Sequence, residues 1–367
     1  MSLCRNTRLL DAHANDARLF RANAVVLVAA SLCLGACGAS LSPRAQWRII
    51  PGHVSVDADD ETVLQALEDG IDGKLSATGS AALEIELPAS ERSAMLTFTR
   101  HRRSRKTPNS SWSARSRRGR RWVEFAAGGS FRGGLERVII PPREVPTVVE
   151  LRVQGRNLHL RDIGLYELGG RDDIWLAVGA SIQEGGFTHS VFKQAVREEH
   201  GYDPVVFNRA VSGWTAGKLR KRLPGLLAEH PEARYVAIHI GGNDVSSQRP
   251  YPGGARRLER KLRDIVQLVE DSGRVPILAR LSYRAYPKPP LVPPEANGSL
   301  PYVEAVYDPL IEEMTPAFST WGCGVVDPYS WYRDHPDELS ADGIHPNREG
   351  RRSWARLWAR QAGDVVY

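Results

Sequence analysis

From residue 47 to about residue 170 the chain alternates short apolar runs with turn residues. The pattern predicts strands at 47–50, 83–87, 95–99, 122–125, 137–140, 148–153 and 158–168. Val149-Glu150-Leu151-Arg152-Val153 and Leu158-His159-Leu160-Arg161-Asp162-Ile163 largely keep a period of two, as half-buried antiparallel strands do. The only convincing helical window in this part covers 61–68. Short strands at this spacing predict a small all-β sandwich or jelly roll over 37–170.

The rhythm changes at Arg171. Continuous apolar runs at 174–178, 205–211, 235–240, 275–281 and 325–326 alternate with amphipathic stretches at 191–199, 215–229, 255–271, 302–314 and 347–361. Strands that alternate with helices of this length form a parallel sheet covered on both faces, so residues 171–367 are expected to be an α/β domain. Six prolines within 284–301 mark a surface loop at the border of that sheet.

The amino terminus follows neither pattern. Residues 24–34 are uncharged and apolar, with Arg18 and Arg21 before them and Gly35-Ala36 after, the layout of a secretory signal over 1–36. Leu34-Gly35-Ala36-Cys37 resembles a bacterial lipobox, which implies lipidation of Cys37 and an envelope location, with the membrane met through a lipid anchor. A plain secretion signal cut nearby, or an uncleaved anchor, is the alternative. If Cys37 carries lipid, Cys323 is the one cysteine left outside the leader, and no intrachain disulfide is expected.

Charge alters the picture in one place. The 367 residues carry 49 Lys and Arg against 43 Asp and Glu, a formal +6. Ten of the positive charges fall within residues 100–121, with no acid among them, and leaving them out turns +6 into −4. The composition, 42% hydrophobic and 25% charged, is that of an ordinary globular chain and excludes wholesale disorder. A protein that wraps nucleic acid over its whole surface is therefore not expected. The basic stretch reads as a solvated loop, with attraction to an anionic envelope polymer or to lipid headgroups as the alternative.

Four spots carry candidate chemistry, three of them at the expected carboxyl ends of parallel strands, where open α/β sheets bind ligands. Gly179-Ala180-Ser181-Ile182 follows the first strand, Ser212-Gly213-Trp214 the second and Gly241-Gly242-Asn243-Asp244 the third; Asp342-Gly343-Ile344-His345-Pro346-Asn347 precedes the last helix. Taken singly, each also suits a helix cap or a glycine turn. An Asp three residues before a His can fix the imidazole tautomer and leave the other nitrogen as a base.

In this order the four blocks resemble the SGNH (GDSL-like) hydrolases, whose name letters this chain supplies as Ser181, Gly213, Asn243 and His345. The resemblance spans about 174–362 and implies a flavodoxin-like three-layer α/β domain with a parallel sheet. It implies Ser181, His345 and Asp342 as a catalytic triad, and an oxyanion hole from Ser181, Gly213 and Asn243. It requires no metal or cofactor, and it implies a serine esterase acting through an acyl-enzyme. One departure is Ala180, where the family usually has Asp, which bears on the rigidity of the loop. A β-domain ahead of such a hydrolase resembles the layout of some carbohydrate O-acetyl esterases, and this resemblance implies an O-acetylated carbohydrate as the substrate. The alternatives are a lipase- or thioesterase-type substrate, or a non-catalytic envelope-binding lipoprotein. His239, His335 and Asp334 are expected to stand outside the chemistry, with Asp327 second to Asp342 as the orienting acid.

Overall fold

A computed structural model describes residues 46–49, 73–87, 89–101, 111–118, 120–129, 135–169, 173–201, 204–245, 254–285, 307–318, 320–321 and 323–362. The leader 1–36, Cys37, the helical window 61–68, the centre of the basic stretch (102–110) and most of the Pro-rich segment (286–301) lie outside these residues.

The first part is all β. Strands β1 (Gln46–Ile49), β2 (Gly73–Leu87), β3 (Ala94–His101), β4 (Ser111–Arg118), β5 (Arg121–Gly129), β6 (Leu135–Ile140) and β7 (Thr147–Glu167) belong to one seven-stranded sheet. β7 is its organiser. One edge pairs with β2 over 147–163, while the other pairs with β4 over 149–154 and with β3 over 159–167. The sequence pattern suggests two strands here, because Gln154-Gly155-Arg156-Asn157 breaks the apolar alternation. The ladder with β2 runs through that break, and a register shift between Ala77 and Gly79 absorbs it.

The basic stretch also departs from expectation. Residues 111–118 are strand rather than loop, and they form a hairpin with β5. Trp112 and Ala114 explain the difference: both face inward and are buried, and the Trp112 ring meets Phe98 edge-on at 5.6 Å between centroids. Their apolar contribution is hidden in the sequence because they alternate with Ser111, Ser113 and Arg115 and the strand ends in two arginines.

The second part is α/β. Strands β8 (Ile174–Gly179), β9 (Val205–Asn208), β10 (Tyr235–His239), β11 (Val275–Ala279) and β12 (Gly324–Val326) are all parallel, in the order β12-β11-β10-β8-β9. This is the flavodoxin-like order, with β8 at the point where the winding reverses. The helices are α1 (Ser181–Gly186), α2 (His189–His200), α3 (Ala216–Glu229), α4 (Gly254–Asp271), α5 (Asp308–Phe318), α6 (Pro328–Asp334) and α7 (Arg348–Gln361).

Strand alternation makes two cores, one on each face of the sheet. Ile174, Leu176, Val178, Val236 and Ile238 pack with α3, α4 and α5 through Leu219, Leu223, Leu258, Ile265 and Leu310. Trp175, Ala177, Tyr235 and Ala237 point the other way, toward Phe192 of α2 and Trp354 and Trp358 of α7. Aliphatic and aromatic side chains of this size each contribute about 1.5–3 kcal/mol when fully buried. The β part joins the first core through Met95, Leu135 and Tyr166, and Arg209 donates to the Leu135 carbonyl at 3.2 Å.

Candidate active site

Three of the four segments of the site begin where a parallel strand stops. β8 ends at Gly179, with φ +154°, where an added Cβ would stand 2.1 Å from the carbonyl oxygen of His239. Only glycine permits that approach. The chain then turns: the Ala180 N–H donates to the same carbonyl at 3.2 Å, and Ser181 becomes the first residue of α1.

The last helix supplies the partners. Asn347 caps α7 by accepting from the Glu349 and Gly350 N–H groups, which fixes the end of the turn 342–346. Ser181 Oγ lies 2.8 Å from His345 Nε2, and His345 Nδ1 lies 2.6 Å from Asp342 Oδ2. The second Asp342 oxygen accepts the backbone N–H groups of Ile344 at 2.9 Å and His345 at 3.0 Å. Burial pushes this carboxyl up, but the His345 backbone N–H, the imidazole and the Ile344 N–H together outweigh it and hold Asp342 below its usual range. An ionised Asp342 accepts the hydrogen bond of Nδ1–H and keeps the ring proton there, so Nε2 presents a lone pair to the serine hydroxyl.

The other two segments close on the same point. After β9, the Val211 N–H donates to the Gly179 carbonyl at 3.1 Å, and Gly213 adopts φ +79°. Among the described residues no atom beyond its chain neighbours lies within 4 Å of where its Cβ would be, so glycine serves the backbone conformation here. After β10, the Asn243 side-chain amide donates to the Trp214 carbonyl at 2.9 Å, which ties the third segment to the second. Asp244 accepts from the Ala216 N–H at 2.7 Å and from Lys261 Nζ at 2.8 Å, holding the start of α3 against the same turn.

Two residues that sequence reasoning missed join α1 to the β9 loop. The Glu184 carboxylate accepts the Ser212 N–H at 2.8 Å and also the Ser212 hydroxyl. The Asn208 amide donates to the carbonyls of Gln183 at 2.9 Å and Phe187 at 2.8 Å, and its oxygen accepts the Ala210 N–H at 3.0 Å. The available signal was weak: a carboxylate one turn beyond the serine and an amide at a strand end. Ser181 and His345 open on a cavity of about 590 Å³ whose walls include Ile182, Glu184, Val211, Pro346 and Arg351.

The remaining candidates stand apart. His239 is buried, meets Trp354 edge-on at 4.9 Å and lies 3.3 Å from the Ser282 hydroxyl; burial, aided by the Arg284 charge, pushes it down to about 3. His335 stacks on Trp331 at 4.1 Å, and Asp334 ends α6. Asp327 bonds Arg280 at 2.6 Å and caps α6 through Ser330. Cys323 is a free thiol that burial pushes up to about 11.

A model of the GDSL-like lipase/acylhydrolase family matches residues 176–352. Thioesterase 1/protease 1/lysophospholipase L1 of Escherichia coli (strain K12) is 30% identical over 166 residues, which are 44% of this chain and 68% of that protein. An arylesterase of Vibrio mimicus is 29% identical over 170 residues, covering 44% of this chain and 72% of its own. Among solved structures, an acetylxylan esterase from Geobacillus stearothermophilus is 20% identical with a TM-score of 0.39, covering 52% of this chain and 94% of that one.

Proposed function

The chain belongs to the GDSL-like lipase/acylhydrolase, or SGNH, family of ester-hydrolysing enzymes, and from that premise we propose that it is a serine esterase that removes small acyl groups, acetyl first among them, from a carbohydrate. The observation that carries the catalytic part is the unbroken chain Ser181 Oγ, His345 Nε2, His345 Nδ1, Asp342 Oδ2, with contacts of 2.8 Å and 2.6 Å.

In this reading Ser181 attacks the ester carbonyl while His345 Nε2 takes its proton. Asp342 holds the ring and balances the imidazolium charge. The oxyanion is received by the backbone N–H groups of Ser181 and Gly213 and by the Asn243 amide, where loss of one donor typically costs about 10²- to 10³-fold in turnover. His345 returns the proton to the leaving alcohol. Water activated by the same nitrogen then releases the acid and restores Ser181.

Support for a small acyl group on a polar alcohol comes from the cavity walls. Glu184, Ser212 and Arg351 make much of the rim polar, while Ile182, Val211 and Pro346 are its larger apolar members. The second reading, a thioester or lysophospholipid substrate, is favoured by what the Escherichia coli relative is named for.

Two assays test this. Ser181→Ala should lose several orders of magnitude of activity on a short-chain aryl ester, and activity equal to the parent would remove the enzymatic assignment of Ser181. Acetate release from acetylated polysaccharides should exceed release of long acyl chains from thioesters or lysophospholipids, and the reverse ranking would replace the carbohydrate reading with the second one.

A further inference from the structure

We propose that the tip of the β4–β5 hairpin binds the anionic headgroups of a phospholipid bilayer and sets how the enzyme lies on the membrane. Arg117, Arg118, Arg120 and Arg121 are all exposed there. Arg118 and Arg121 are direct partners across the ladder, an arrangement in which like charges destabilise a hairpin. Deeper in the same sheet, Arg115 and Arg152 both discharge onto Glu150. Among the described residues Arg118, Arg120 and Arg121 have no such acid. A self-repelling cluster is costly to keep, and a surface of fixed anions relieves it.

The neighbours of the cluster select lipid over a soluble polymer. Val123 and Phe125, directly behind the tip on β5, are 42% and 36% exposed. β5 pairs with β4 alone among the described strands. Arginines beside exposed apolar side chains suit the interface of a bilayer, where the charges meet headgroups and the apolar groups meet acyl chains. A polyuronate or another soluble polyanion would engage the charges and leave the apolar groups in water.

Register gives the third argument. Gln46 of β1 pairs with Glu86, Glu86 with Val148, and the adjacent Val149 with Ser116 of β4. The amino end of β1 and the end of β4 that runs on to Arg118 therefore leave the sheet on the same side. Eight residues separate Gln46 from Cys37, a reach of about 30 Å when extended. If Cys37 carries lipid, the anchor and the basic tip meet the bilayer together, and a lipid anchor with a basic patch holds more firmly than either one alone. The paired arginines and the exposed Val123 and Phe125 suit the bilayer without that lipid and whichever ester the active site takes.

The test is vesicle co-sedimentation of the full chain carrying Cys37→Ala, with phosphatidylcholine vesicles and with the same vesicles containing phosphatidylglycerol. The apolar segment 24–34 contributes equally to both, so the ratio of the two partition coefficients isolates the charge effect. The ratio should be well above one and should collapse in high salt. The triple variant Arg118→Gln/Arg120→Gln/Arg121→Gln should lower it on the order of 100-fold, at about fivefold per arginine, while soluble aryl-ester turnover stays at the parent level and so reports an intact fold. A parent ratio near one, or an unchanged ratio in the triple variant, overturns the proposal. It also falls if a soluble polyuronate strips the parent from phosphatidylglycerol vesicles at lower charge concentration than the lipid, because the partner is then a polymer.

Discussion

The carboxylate of Glu184, one turn along the helix that Ser181 begins, accepts both the backbone N–H and the hydroxyl of Ser212. It thus links the helix of the nucleophile to the loop that presents Gly213. Ala180 offers no polar side chain for this purpose, so loop support comes from a residue four positions later. Glu184→Ala should lower kcat on a short aryl ester by about 10- to 100-fold with little change in KM, because a donor displaced by about 1 Å can cost 10²-fold. Glu184→Gln keeps an acceptor for the Ser212 N–H and should recover most of the loss, with the pH profile unmoved. Equal kcat in Glu184→Ala and parent would show that Ser212 holds its place without this contact.

Asp342 has two tasks, one for each oxygen. Oδ1 shapes the turn through two backbone N–H groups, and Oδ2 sets the tautomer of His345. Asp342→Asn should preserve the first task and reverse the second, since the amide nitrogen donates to Nδ1 and moves the proton to Nε2. On the pattern of tautomer reversal in serine triads, kcat should fall roughly 10⁴-fold near neutral pH while the unfolding midpoint changes little. A loss below tenfold would mean that another acid orients the imidazole.

Much of this site is legible in the chain because three of its blocks sit at strand ends and the fourth in the turn before the last helix, where local sequence decides the geometry. Gly179 and Gly213 announce backbone conformations, and Asp342 and His345 are close enough in sequence to be read as a pair. Glu184 and Asn208 are not legible in the same way, because their partners lie about 20 to 28 residues away and reach them only when β8 and β9 pair. The β part shows the same division. Period-two runs reveal most of its strands, but the continuity of β7 depends on β2 passing the Gln154–Asn157 break, and β4 is masked because Trp112 and Ala114 alternate with Ser111, Ser113 and Arg115.

His239 provides a pH signature independent of catalysis. Burial in the native state pushes it down to about 3, whereas in the unfolded chain it titrates near its ordinary value of about 6.5. Below that value the unfolded chain binds a proton that the native state refuses, so stability falls with pH by about 1.4 kcal/mol per unit until about pH 3. His239→Leu should cost about 1–2 kcal/mol at neutral pH and flatten the acid limb between pH 6 and 4 in urea titrations, with esterase activity within tenfold of the parent. A variant with the same acid slope would place that titration on another group.

Glu150 is the acid that keeps the sheet beneath the basic hairpin together. Its side chain is 2% exposed, Arg115 holds it at 2.7 Å and 2.9 Å, and Arg152 bonds the same carboxylate. Burial pushes the carboxyl up, but the hydrogen bonds from Arg115 and Arg152 outweigh it and hold the group below its usual range. The sign follows: this contribution is present above the ordinary carboxylate range and is lost as pH falls through the lower native value. Glu150→Ala leaves two partly exposed guanidinium groups without their shared anion and should destabilise the protein by about 1.5–3 kcal/mol at pH 7. The gap between variant and parent should narrow as the parent is acidified below about pH 4. Chemical unfolding followed by tryptophan fluorescence measures it, and a constant gap from pH 7 to 3 would mean that Glu150 acts through packing rather than charge.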